Sequence, residues 1–399
     1  MWQRLLTTML RQFFAVGRLD VRMPNGEMQS FGEGQVDSVS IAIKDSATAR
    51  RLCLNPELSI GEAYMEGTLT IENDDLRGFL SLVMLNLSQS QEVPIMRILG
   101  CWRNLRRNIL QYNTSRSSRS NVKHHYDLSD RLYELFLDED RQYSCAYFED
   151  EGDSLDYAQK QKKRHIAKKL LLSPGQKVLD IGSGWGGMGI TLAKEFDVDV
   201  TGVTLSTQQH RKANERAALA GESHRVKFLL QDYRSVQGKF DRIVSVGMFE
   251  HVGAPHYLEF FRKVRDILTE DGVALLHTIG RSGPPGSTNP WITKYIFPGG
   301  YVPAMSETMA AIEKAGLTVA DVEVLRIHYA ETLKQWHSRF MSNIDEIRKE
   351  YDDRFCRMWR FYLLSCELTF RHNDQVVFQF QIAKRKDAVP LTRNYIYSN

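Results

Sequence analysis

The stretch Lys177–Gly187, KVLDIGSGWGG, restricts the possible folds of this chain more than any other. A short apolar strand runs straight into a glycine-rich turn, with Asp180 at the strand end, a pattern that predicts an open parallel sheet facing a nucleotide-type ligand. Glycine accepts φ > 0 and allows backbone to approach a ligand closely, and the helix that follows offers free N–H groups. The spacing Gly182-x-Gly184-x-Gly186 departs from the dinucleotide pattern G-x-G-x-x-G, Gly187 meets its last position only loosely, and the acid precedes the glycines. This favours S-adenosylmethionine over a pyrophosphate cofactor, with Asp180, Gly182 and Gly184 around it.

Downstream, KVLDI, VDVTGVT, VKFLLQD, FDRIVSVG and GVALLHTI alternate with helical stretches such as TQQHRKANERAALA. That is the βαβ rhythm of a doubly wound sheet. Two further strands, LTVADVEVLRIH and QVVFQFQIAK, flank a helical insertion from Thr332 to about Arg371 and predict a closing antiparallel hairpin. The expected fold is α/β, a class I methyltransferase (Rossmann-like) seven-stranded sheet with a helical insertion, over residues 122–399. Residues 1–112 predict a small α+β domain, with a hairpin around Asn25-Gly26, a strand in SVSIAIKD and a helix in DDLRGFLSLVMLNLSQ. Nothing in it carries identifiable chemistry, so lipid docking or dimerisation is its expected role. The polar, serine-rich NTSRSSRSN at 113–121 predicts the linker.

At 42% hydrophobic and 25% charged residues, the composition is globular, and no apolar run approaches the ~18 residues of a spanning helix. The opening MWQRLLTTMLRQFF, broken by Arg4 and Arg11, does not read as a signal peptide. Five scattered cysteines, Cys53, Cys101, Cys145, Cys356 and Cys366, form no C-x-x-C pair, which argues against a metal site and for a reducing, cytoplasmic compartment. The net charge of +3 is small but uneven. Arg97 to Lys123 contains no acid and Lys160 to Lys169 is a second basic run; either attracts anionic lipid head groups, at about 1 kcal/mol per charge, or is a solvated linker and helix face. Nucleic acid is not an expected partner, since neither an (N/D)-P-P-(Y/F) tetrad nor a recognition module is present.

Ligands in open parallel sheets bind beyond the carboxyl ends of the strands. There, where most such sites place a ribose-binding carboxylate, this chain has Thr204, followed by Leu205, Ser206 and Gln209. Asp232 is placed to accept from the adenine amino group, and Tyr233 to pack on the ring. The sequence GVTLSxxQ resembles the cyclopropane-fatty-acyl-phospholipid synthase family and its mycolic-acid relatives. HHYDLSD, YSCAYF, LQDYR, SVGMFEHVG, LHTIG and WITKYIFPGG stand in that family's order.

The resemblance implies that Tyr143 and Ser144 close over the methionine end of S-adenosylmethionine, and that the acceptor is the cis double bond of an unsaturated phospholipid. It further implies a bound bicarbonate as base, held by Glu250, His277, Tyr329 and the backbone groups of Cys145 and Ile279. Cys366 matches a family cysteine, although its neighbours Leu363, Leu364 and Phe370 suit helix packing. Tyr126, Phe249, Trp291, Tyr295 and Phe297 are candidates for an acyl channel, and core packing is the competing reading for each. Peripheral contact with an anionic membrane at the bacterial inner face and a homodimer are also implied. Ring closure to a cyclopropane is the leading outcome; a methyl-branched or methylene product, or a non-catalytic lipid-binding protein, are the alternatives.

Overall fold

The computed structural model describes residues 1–89 and 128–397, save the side chains of 34–37, 88 and 89. Tyr126, Cys101, the linker at 113–121 and the basic run from Arg97 to Lys123 lie outside the described residues. Two compact units form: residues 1–89, 287–298 and 333–374 make the first, and 128–286, 299–332 and 375–397 the second. The division therefore differs from a single cut at the linker. Most of the helical insertion expected within the catalytic half belongs to the first unit.

The first unit holds strands β1 (Val16–Arg22), β2 (Met28–Phe31), β3 (Glu33–Ile43) and β4 (Leu69–Ile71), in the order β2-β1-β3-β4. Its first two strands form the hairpin expected from the sequence, with Gly26 in the turn at φ +85°. Leu19, Val21, Phe31, Val39, Ile41 and Ile43 supply the buried side of the sheet. The helix Asp353–His372 packs on the helices Pro56–Glu66 and Leu76–Gln89. Its Glu367 is fully buried, a position that a charge tolerates only with partners. Arg77 supplies a two-pronged pair at 2.9 and 2.6 Å and Arg371 a third bond at 2.9 Å.

The second unit is a seven-stranded sheet of β5 (Lys177–Ile181), β6 (Asp199–Thr204), β7 (Val226–Leu230), β8 (Phe240–Val246), β9 (Leu268–Arg281), β10 (Thr318–Leu325) and β11 (Gln375–Ala383). Their order is β10-β11-β9-β8-β5-β6-β7, parallel from β9 to β7, with β11 antiparallel to both of its neighbours. Alternate residues feed two cores: Leu179, Ile181 and Ile243 join Phe249, Phe260 and Phe261 in one, and Val178, Val200 and Val244 join Ile166 and Leu192 in the other. Burial on both faces explains why these strands read as nearly continuous apolar runs.

The second basic run is divided: Lys160 is exposed and Lys168 half-buried, whereas three of its lysines turn inward. On the helix Leu155–Leu170, Lys162 and Lys169 are fully buried and Lys163 nearly so, each held by internal oxygen acceptors, while Arg164 pairs with Glu195. Lysine stems pack like aliphatic chains, and the heads here find polar partners inside rather than water.

Candidate active site

A cavity of about 150 Å³ opens beyond the carboxyl ends of β5, β6, β7 and β8. Its lining includes Tyr143, Ser144, Asp180, Gly182, Gly184, Thr204, Leu205, Gln209, Asp232 and Tyr233. The remaining cofactor candidate, Ser206, caps the helix Thr207–Leu219 by accepting from the Gln209 N–H at 3.3 Å. The turn after β5 depends on its glycines. Gly182 stands at φ +83°, and a Cβ there would lie 2.7 Å from that of Met248; Gly186 stands at φ +84°, where a Cβ would meet the Phe228 ring at 2.7 Å.

Loop 138–147 closes one side of the cavity. Tyr143 is wedged among aromatic rings, with Tyr133 at 5.6 Å and Phe136 at 6.1 Å, and Tyr133 in turn lies 4.9 Å from Trp185 of the glycine turn. Beneath it, the buried ammonium of Lys162 donates to Gln142 Oε1 at 2.7 Å and to Ser144 Oγ at 2.8 Å. Burial pulls Lys162 down to about 8. Asp180 is pushed up to about 7 by burial, and the nearby Lys162 charge offsets only part of that rise.

Thr204 donates to Gln209 Oε1 at 2.9 Å, which fixes the amide and leaves its N–H groups as donors beside the cavity. Asp232 accepts from the Arg234 N–H through Oδ1 at 3.0 Å, while its Oδ2 is buried without a hydrogen-bond partner among the described residues. Tyr233, its hydroxyl pushed up to about 12 by burial, packs edge-on to Phe260 at 5.3 Å. A buried acceptor left open, an amide fixed by Thr204 with N–H donors to offer, and a turn that a single added Cβ would fill together fit an adenosine-bearing cofactor such as S-adenosylmethionine.

Beyond β8, Glu250 lies in a 3-10 turn, Phe249–His251, 8% exposed. Its Oε1 accepts from the Ile279 N–H at 2.6 Å; its Oε2 is buried without a partner among the described residues, Thr278 having turned its hydroxyl to the Ile279 carbonyl at 3.0 Å. Burial pushes Glu250 up to about 7 against the pull of its own backbone N–H, that of Ile279 and the nearby Thr278 hydroxyl. His277 pairs in register with Val246, where β8 ends, although β9 itself runs on to Arg281. It is 2% exposed and held well below the usual histidine range by burial, with the Lys162 and Lys169 charges adding to the effect. Cys145 and Tyr329 come from different segments that are bonded together: the Ala146 N–H donates to Thr332 Oγ1 at 3.0 Å and the Phe148 N–H to His328 Nδ1 at 3.1 Å, and both acceptors share the helix His328–Ser342 with Tyr329. Burial raises the Cys145 thiol far above its ordinary range.

The remaining candidates are not among the residues that line this cavity. Phe249 is fully buried in the core, stacked on Tyr257 at 4.2 Å. Trp291, Tyr295 and Phe297 belong to the first unit. There Trp291 Nε1–H donates to Met65 Sδ at 3.3 Å, Tyr295 donates to Glu62 at 2.8 Å, and Phe297 meets Tyr362 edge-on at 5.9 Å. Cys366 is also in the first unit, its thiol pushed up to about 12 by burial, which keeps it protonated. Sequence reasoning passed over Arg141, Gln142, Trp185 and Met248 in the cavity wall and Lys162 beneath it, and reads His251, also in the wall, as a structural residue that orients a loop. Buried lysines within a basic run leave no signal that separates them from solvated ones.

Strand order, the single antiparallel strand and a glycine turn at the carboxyl edge define a class I methyltransferase. Residues 113–380 match the family model of mycolic acid cyclopropane synthetase, and residues 5–90 match a domain of unknown function, DUF7884. The chain is 38% identical to the cyclopropane-fatty-acyl-phospholipid synthase of Escherichia coli (strain K12) over 380 residues, covering 90% of this chain and 95% of that protein. It is 34% identical to the tuberculostearic acid methyltransferase UfaA1 of Mycobacterium tuberculosis, covering 86% and 82%. Among solved structures, mycolic acid cyclopropane synthase CmaA1 complexed with SAH and CTAB superposes with a TM-score of 0.63 at 35% identity, covering 66% of this chain and 97% of that one. The chain belongs to the mycolic acid cyclopropane synthetase family. It is an S-adenosylmethionine-dependent methyltransferase.

Proposed function

We propose that this enzyme adds a methylene group across the cis double bond of an unsaturated phospholipid acyl chain and that bound bicarbonate is the base. When bound, S-adenosylmethionine supplies the electrophilic methyl group that becomes the ring carbon. The chain's own task is to hold the weakly nucleophilic alkene beside that methyl, keep water from the resulting cation, and remove one proton from the transferred methyl so that its C–H electron pair closes the ring.

The observation that carries the reading is Glu250. A buried carboxylate with one oxygen on a backbone N–H and the other open would repel an anion unless a proton lies between them, and bicarbonate brings that proton. His277 and Tyr329 are the donors in this reading, with the backbone groups of Cys145 and Ile279 completing the cage; the Ile279 N–H acts through Glu250. The lipid is met at the inner face of a bacterial membrane, where the acid-free run from Arg97 to Lys123 adds attraction to anionic head groups. The first unit serves docking or the pairing of two copies.

The test is mass spectrometry of acyl chains after incubation with S-adenosylmethionine, bicarbonate and liposomes of cis-monounsaturated phospholipid. Addition of one CH2 with loss of the double bond supports the proposal. The likeness to UfaA1 favours a second reading, a methyl-branched chain, which would have the two extra hydrogens of a saturated branch or retain unsaturation. No mass change, despite cofactor binding, refutes both.

A further inference from the structure

Register places His277 of β9 opposite Gln379 of β11, and Gln379 opposite Glu323 of β10. Three polar side chains thus cross three adjacent strands in a row, and the helix Leu155–Leu170 adds His165 and Lys169 to it. Gln379 and Lys169 are fully buried. Polar groups in such a place cost about 1–3 kcal/mol each when left unsatisfied, so their bonds must be accounted for.

The donors and acceptors of the row fix the proton on His277. Lys169 is an ammonium with donors only. It donates to Gln379 Oε1 at 2.8 Å and to Glu323, which also takes His165 Nε2 at 2.6 Å. With its carbonyl on lysine, Gln379 turns its amide nitrogen to His277 Nδ1, 3.1 Å away. A ring nitrogen that receives an N–H is an acceptor, so the neutral imidazole carries its hydrogen on Nε2. Gln381, also fully buried, anchors the row from the next inward position on the strand: its amide donates to the Lys169 carbonyl at 2.5 Å, and Tyr395 donates to its oxygen at 2.8 Å.

We propose that Gln379, oriented by Lys169 and Glu323, is a positioning residue that locks His277 in the Nε2–H tautomer and so makes it a hydrogen-bond donor to the anionic base beside Glu250. The second half rests on the bicarbonate reading above; the first does not. The arrangement resembles the way ligating histidines are fixed through their second nitrogen.

The experiment uses full-length protein labelled with 15N-histidine, with two-bond 1H–15N correlations of the ring nitrogens and His277 assigned by comparison with His277→Gln. Wild type should show His277 protonated at Nε2 alone. Gln379→Glu keeps the length of the side chain but replaces the donor by an acceptor, and should move the proton to Nδ1. S-adenosylmethionine binding should be unchanged, while kcat/KM for bicarbonate falls about 10–100-fold, the range seen when the outer partner of a ligating histidine is removed. An Nδ1–H or doubly protonated His277 in wild type overturns the proposal, even where the variant does not fold. So does Gln379→Glu with the Nε2–H pattern retained. Wild-type turnover indifferent to bicarbonate overturns the base assignment, and with it the donor role of His277, while a tautomer switch in the same samples would still establish the positioning by Gln379.

Discussion

Replacing Glu250 by glutamine separates the two effects of burying that carboxyl. Burial raises it from the ordinary 4.5 to about 7, which at about 1.4 kcal/mol per factor of ten corresponds to about 3 kcal/mol. A carboxyl with a raised folded pKa holds its proton more tightly when folded. Its favourable contribution is full below pH 4.5 and is lost as the pH rises through the window up to 7. Glutamine does not ionise and still accepts from the Ile279 N–H, so Glu250→Gln should be spared that loss. Urea unfolding of the cofactor-free protein at a series of pH values gives the difference directly, because every other titrating group, Asp180 included, is common to both proteins. The stability of the variant relative to wild type should rise by about 3 kcal/mol between pH 4.5 and 8, while bicarbonate-dependent turnover falls by about 100-fold or more. Parallel stability curves would refute the buried-carboxyl argument. Full turnover in the variant would refute the role assigned to Glu250.

Asp232→Ala removes the open acceptor and should weaken S-adenosylmethionine binding by about 10–100-fold, corresponding to one buried bond of about 1.5–3 kcal/mol, measured by calorimetry. Gly182→Ala places a methyl 2.7 Å from the Met248 Cβ at φ +83° and should depress both cofactor binding and thermal stability. Lys162→Met frees Gln142 and Ser144 and removes the charge that restrains Asp180, so cofactor binding should weaken and its dependence on pH should move to higher pH. Cys366→Ala should retain activity within about twofold by the mass-spectrometric assay, since burial keeps its thiol protonated and the proposed chemistry calls for no thiol.

The parts of the molecule that follow from local pattern could be read in advance. All seven strands of the second sheet lie where their apolar runs placed them, and so does the Asn25-Gly26 hairpin. The cavity gathers ten of the cofactor candidates because parallel strands deliver their carboxyl ends to one edge. What escaped depends on partners distant in sequence. Lys162 and Lys169 look like any solvated lysines until Ser144 and Gln379 are folded against them. Gln379 and Gln381 did leave a trace, as glutamines in an otherwise apolar strand buried on both sides. Trp291, Tyr295 and Phe297 share a motif with catalytic-half segments, yet their surroundings come from Met65, Glu62 and Tyr362.

The makeup of the first unit has a bearing on how the protein is made. Arg77 meets Glu367 across 290 positions of chain, so at about 5–20 residues per second the ribosome needs roughly 15–60 s to deliver the partner. During that interval the faces of Pro56–Glu66 and Leu76–Gln89 that will receive the helix Asp353–His372 are bare on the nascent chain. A fragment ending at the serine-rich linker would keep those faces bare permanently. Residues 56–89 therefore leave the ribosome long before the helix that covers them, and holdase chaperones should bind them during synthesis.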